Sequence, residues 1–105
     1  LCDHIRRAAI DTGVFPMAGI RVRAFAANHV SIADGEAKHG YIDISVRLRK
    51  GRTTAAKQAA TQSVFAAAEA FLAPVMAQRS IALSMEMRDI DPGLSPKSGT
   101  IRDQL

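Results

Sequence analysis

The side chains with the most to offer chemically in this sequence are its arginines. Arg21 and Arg23 share one parity, so an extended chain projects both from a single face. Arg52 stands just before a run of strong helix formers, where the positive end of the helix macrodipole disfavours a cation by a few tenths of a kcal/mol up to ~1. A guanidinium kept there, beside amide N–H groups that lack intrahelical partners, makes a site for a carboxylate or a phosphate, because all the donors act on the same anion. For any single arginine on a strand face, simple solvation is the commoner role, and it stays open for Arg21 and Arg23.

Other chemistries find little support. His4, His29 and His39 show no metal-ligand spacing, and Cys2, the only cysteine, cannot complete a zinc site or an intrachain disulfide. Cys2 reads as an ordinary thiol and fits a reducing compartment. No Ser/His/Asp nucleophile motif is readable, and neither GxxxxGK[ST] nor GxGxxG occurs. Metal: none is the expectation.

Three alternating segments must position the arginines. In Ile20 to Ala27, the residues Ile20, Val22, Ala24 and Ala26 oppose Arg21, Arg23 and Phe25. In Tyr41 to Arg49, Ile42, Ile44, Val46 and Leu48 oppose Tyr41, Asp43, Ser45, Arg47 and Arg49. In Ile81 to Arg88, Ile81, Leu83, Met85 and Met87 oppose Ala82, Ser84, Glu86 and Arg88. A long helix is expected over about Thr53 to Gln78, with an apolar face through Ala60, Val64, Ala68, Phe71, Leu72 and Val75. Pro74 should kink or break it, or start a second short helix. At the other end of the chain, Leu1 to Gly13 reads as the last turns of a helix without an N-cap. Leu1, Ile5, Ala8 and Ala9 lie on one face, and Gly13 sits where a helix commonly stops. The loop Asn28 to Gly40 carries an Asp34-Gly35 turn, and residues 91–105 form a Pro/Gly/Ser-containing C-terminal tail.

The chain of 105 residues is expected to be one domain, 1–105. Its hydrophobic content is 48%, but much of this is alanine and aromatics are only 5%, so each side chain buries little and partner subunits are expected to complete the core. The net charge of +4 suits nucleic acid, a membrane surface or small anions without choosing among them. No apolar run suggests a membrane span and no signal peptide is readable, so a soluble, cytoplasmic protein is expected. The order helix, strand, strand, helix, strand lacks one leading strand of two consecutive β-α-β units, and the sequence is expected to be an N-terminally truncated fragment.

The residues themselves resemble a known family. Phe15-Pro16-Met17-Ala18-Gly19-Ile20-Arg21-Val22-Arg23, Ala33-Asp34-Gly35, Gly51-Arg52 and Arg79-Ser80-Ile81-Ala82-Leu83-Ser84-Met85-Glu86 are similar to the 5-carboxymethyl-2-hydroxymuconate isomerase family of the tautomerase superfamily. The resemblance runs through nearly the whole chain in order. It implies an α+β fold, a tautomerase-like β-α-β-β-α-β subunit with its helices on one face of a mixed sheet, assembled as a homotrimer.

It also implies a cofactor-independent isomerase of aromatic catabolism acting on a small dicarboxylate or tricarboxylate. An N-terminal proline, absent from these residues, would be the general base, since an amine in an apolar pocket has a depressed pKa and can take a proton near neutrality. Arg21 and Arg52 match the family's two arginines and would bind substrate carboxylates. In the tail Lys97 fits the pattern, whereas Pro96 and Ser98-Gly99-Thr100 replace a more aromatic, asparagine-containing run. Two other readings are a non-catalytic protein of this fold and a nucleic-acid-binding α+β module using Arg21, Arg23, Arg47, Arg49 and Arg88. Asp43 and Glu86 on the same faces, and the scarcity of aromatics for base stacking, weigh against the latter.

Overall fold

The computed structural model describes residues 1–105. The two cleanest alternating segments pair with each other: β1 (His39–Arg49) and β2 (Ser80–Ile90) form a parallel ladder, with His39 opposite Ser80 and Arg49 opposite Ile90. Period two puts Ile42, Ile44, Val46 and Leu48 on the sheltered face with Leu83, Met85 and Met87, and leaves Tyr41, Asp43, Ser45 and Arg47 exposed on the other.

A parallel pair needs a long crossover, and α2 (Thr54–Met76) supplies it. Thr53 caps this helix, its Oγ1 accepting from the Ala56 amide at 3.1 Å. Ala60, Val64, Ala68 and Leu72 are buried at helical spacing, as the sequence predicts, but Phe71 and Val75 are each 41% exposed. Phe71 instead lies against the His4 ring, with centroids 4.5 Å apart.

Pro74 neither breaks nor restarts the helix, contrary to expectation. It falls in the last turn of α2, where its missing N–H forfeits one bond on an exposed face, and the ladder closes past it through Ala77 N–H to Ala73 C=O at 3.0 Å. On length and composition alone α2 could cross a membrane, which the sequence reading did not anticipate. Its apolar character is largely alanine, and its four buried residues face other parts of this chain.

The first helix, α1 (Cys2–Asp11), packs on α2. It stops where the sequence predicts: Thr12 Oγ1 donates to Ala9 C=O at 2.7 Å and accepts from Val14 N–H at 3.2 Å, and Gly13 turns the chain with φ +69°. Ile5 and Ala9 meet Val64 in the core, flanked by Leu1, Ala8, Phe15, Ile20, Val22, Ile44 and Met85.

Ile20–Ala27 is a correction. The segment forms no ladder, and the sheet consists of the single parallel pair β1-β2. Alternation correctly turned Ile20 and Val22 to the core and Arg21 and Arg23 outwards, while Ala24 and Ala26 are exposed. What alternation cannot supply is a neighbouring strand edge, and within these residues none reaches the segment.

The molecule is open for its mass. Its accessible surface of 7927 Å² exceeds the roughly 5,700 Å² expected of a folded monomer of this size, and its radius of gyration of 15.8 Å exceeds the expected ~13 Å. Only seven residues are buried, all of them apolar, so one chain encloses a thin core. Exposed large side chains include Phe25, Val30, Leu94 and Leu105. The tail 91–105 contains two short 3-10 turns, Pro92–Leu94 and Ile101–Gln104.

Candidate active site

Arg52 is half-buried where β1 hands over to α2. Gly51 before it has φ +126°, a backbone conformation favouring glycine, and Thr53 after it takes the capping position. Arg52 thus stands one residue outside the cap. Its Nε donates to Val14 C=O at 3.1 Å and its Nη1 to Arg49 C=O at 2.8 Å. The guanidinium ties the loop after α1 to the end of β1, which gives it a structural role that sequence reasoning missed. A guanidinium has five N–H donors in a fixed fork, so these bonds leave Nη2 available. The first helical amides of α2, apart from that of Ala56, have no side-chain cap, so guanidinium and backbone donors coexist at this end of the sheet.

Arg21 follows the same loop. Val14 is bonded to Arg52, Phe15 packs on the core, Met17–Gly19 makes one 3-10 turn, and Ile20 and Val22 are anchored by the core on either side of Arg21. Arg21 is exposed, and no side-chain hydrogen bond or ion pair occupies it. Its neighbour Arg23 lies over the Phe25 ring at 5.2 Å. The structure therefore connects Arg52 to the loop leading into Arg21. Two concavities are formed by other residues, one at Ala8, Asp11, Thr12 and Ser63, the other between α2 and β2 at Thr54, Lys57, Thr61, Met85 and Met87.

The uncovered sheet face is polar and largely self-satisfied. Ser84 Oγ donates to Asp43 Oδ1 at 2.7 Å and lies 3.3 Å from the Tyr41 hydroxyl. Arg88 donates to Ser45 Oγ at 2.9 Å and pairs with Glu86 at 3.1 Å. At least one of the arginines available to a nucleic acid is therefore already engaged.

A second constellation escaped the sequence altogether. At the start of the two strands, His39 lies between Asp34 and Ser80, with Nε2 2.8 Å from Asp34 Oδ1 and Nδ1 2.7 Å from Ser80 Oγ. The signal was unreadable because β1-β2 register, not sequence proximity, brings Ser80 to His39.

A family model described as 5-carboxymethyl-2-hydroxymuconate isomerase matches residues 1–105. The 5-carboxymethyl-2-hydroxymuconate Delta-isomerase of Escherichia coli is 30% identical over 90 residues, covering 86% of this chain and 71% of that protein. A crystal structure of 5-carboxymethyl-2-hydroxymuconate delta-isomerase matches with a TM-score of 0.88 at 27% identity, over 98% of this chain and 78% of the other. The fold is also that of a 5-carboxymethyl-2-hydroxymuconate isomerase from Deinococcus radiodurans R1, with a TM-score of 0.85 at 22% identity over 97% and 81% of the two chains. With its whole length matched and its helix-on-sheet arrangement shared, this chain belongs to the 5-carboxymethyl-2-hydroxymuconate isomerase family.

Proposed function

We propose that this protein is a cofactor-independent tautomerase that interconverts a 2-hydroxy-dienoate and its 2-oxo isomer, with 5-carboxymethyl-2-hydroxymuconate or a closely related unsaturated polycarboxylate as substrate. The observation that carries this reading is the family match over residues 1–105. The chemistry needs a base to take the hydroxyl proton and return one at carbon, and fixed cations to hold the carboxylates and the developing negative oxygen. Arg52, with a free Nη2 beside uncapped amides, and the unoccupied Arg21 supply the cations. The base in this reading is an N-terminal proline on a strand ahead of Leu1. If such a strand runs antiparallel along the open edge of β1, it brings the amine to the Arg52 end of the sheet, because an antiparallel partner starts where β1 finishes.

The assembly is a cytoplasmic homotrimer. Support comes from the roughly 2,200 Å² by which the surface exceeds that of an ordinary monomer of this mass, an amount in the range of a specific interface. The unladdered Ile20–Ala27 and the exposed Phe25 and Val30 are where a neighbour would pair and pack.

Two measurements on the full-length protein test the proposal. Ultraviolet-monitored turnover of a 2-hydroxymuconate-type dienol should be saturable and insensitive to chelators. Sedimentation should give three chains per particle. Absence of turnover removes the catalytic reading, and a stable monomer at micromolar concentration removes the assembly.

A further inference from the structure

Asp34, His39 and Ser80 lie at the end of the sheet away from Arg52, and the isomerisation makes no use of them. The Asp34 carboxylate is held in place by a further bond, its Oδ1 accepting from Glu36 N–H at 3.1 Å. An ionised carboxylate can only accept, so the His39 proton facing it sits on Nε2. With the ring neutral, Nδ1 is then the acceptor and the Ser80 hydroxyl the donor across 2.7 Å. The imidazole is sheltered at 17% exposure, while Ser80 is exposed and its oxygen has no other hydrogen-bond partner. Carboxylate, oriented imidazole and reachable hydroxyl are the components that make a serine nucleophilic.

We propose that Ser80 is an activated nucleophile and that Asp34, His39 and Ser80 form a second reactive site, taking the acyl group from small activated esters. Ser80 Oγ attacks the ester carbonyl carbon as its proton passes to His39 Nδ1. The carbonyl re-forms, the ester C–O bond breaks, and the departing phenolate or alkoxide takes that proton, leaving an acyl-serine. Water then attacks the acyl carbon and gives a proton to Nδ1, which returns it to Ser80 Oγ as the carboxylic acid leaves. Asp34 stabilises the imidazolium in both halves. Because Asp34, His39 and Ser80 line neither the concavity at Ala8 and Ser63 nor that between α2 and β2, and Ser80 is exposed, little binding energy is available, and the expected behaviour is acylation of Ser80 followed by slow release.

The test uses the assembled full-length protein with p-nitrophenyl acetate and, separately, an alkyl fluorophosphonate, read by the p-nitrophenol burst and by peptide mass mapping, which separates Ser80 from Cys2 and the lysines. The adduct should map to Ser80 and vanish in Ser80→Ala. His39→Gln should lower the acylation rate by at least about a hundredfold. Since His39→Gln also removes the contact between loop and sheet, the near-isosteric Asp34→Asn is the second variant, expected to slow acylation by at least about tenfold with the melting temperature checked alongside. Labelling of Ser80 no faster than of exposed Ser45 or Ser63, or a Ser80 adduct that forms at an unchanged rate in both His39→Gln and Asp34→Asn, would overturn the proposal and leave these residues a structural clasp.

Discussion

The two ends of the parallel sheet solve the same problem differently. At the end where β1 finishes, Arg52 satisfies two backbone carbonyls, Val14 and Arg49, and still has donors in reserve. At the end where β1 begins, Asp34, His39 and Ser80 satisfy one another. A guanidinium has more donors than its anchoring uses, so an anchored arginine remains an anion receptor. A histidine has two ring nitrogens, and here both are engaged. One end thus keeps guanidinium donors in reserve, whereas at the other a histidine orients a hydroxyl.

Substitutions at each end would sharpen or erase this contrast. The largest effect belongs to Arg52→Ala. It should lower kcat/KM by at least about thirtyfold, since truncating one member of a desolvated charge pair costs ~2–5 kcal/mol. It should also lower unfolding stability by about 1–3 kcal/mol through the lost carbonyl bonds, which the sequence alone gave no reason to expect. Arg21→Ala should show a comparable loss of kcat/KM in steady-state kinetics with an unchanged denaturation midpoint, because its side chain is exposed and engages nothing in the chain. An equal stability loss for both variants would dissolve the distinction between anchor and free receptor.

At the opposite end, His39→Ala should lower stability by about 1 kcal/mol in urea titrations while leaving isomerase kcat/KM within about threefold. A thirtyfold activity loss there would mean that the two ends are not separate. Arg49→Ala is smaller still. Its backbone carbonyl, which holds Arg52, survives the substitution, so turnover should change by less than about threefold.

The smallest effect is at Asp3. The Arg6 hydrogen bond, with the charges of Arg6 and Arg7, holds its carboxyl below the usual carboxylate range. A group whose folded pKa is depressed contributes stability above its unfolded pKa and loses it as pH falls through the folded one. Asp3→Asn should therefore leave the melting temperature at neutral pH essentially unmoved, given that the pair is exposed to solvent, and any difference from the parent should vanish in acid.

Much of the fold was legible in the residues. Alternation placed Ile44 and Met85 on the covered face and Asp43 and Glu86 on the open one, and helical spacing placed Ala60, Val64, Ala68 and Leu72 in the core. The exposed Phe71 shows where this stops, since helical periodicity marks a face but not how far the packing partner extends along it. Arg52 was legible as a chemically unusual cation before a helix. Its bond to Val14 was not, because a hydrogen bond across 38 positions leaves no local pattern.

The sequence by itself determined which stretches form α1, α2, β1 and β2, which side of each strand is apolar, that Arg21 faces away from the core and that Arg52 precedes a helix. These properties depend on side-chain type and on spacing along the chain, both of which are written in the order of residues. Only the tertiary structure decided that Ile20–Ala27 finds no ladder within these residues and that a serine meets a histidine and an aspartate at the start of the sheet. Each of those outcomes depends on the distance between segments remote in sequence, and that distance exists only once β1, β2 and α2 have packed.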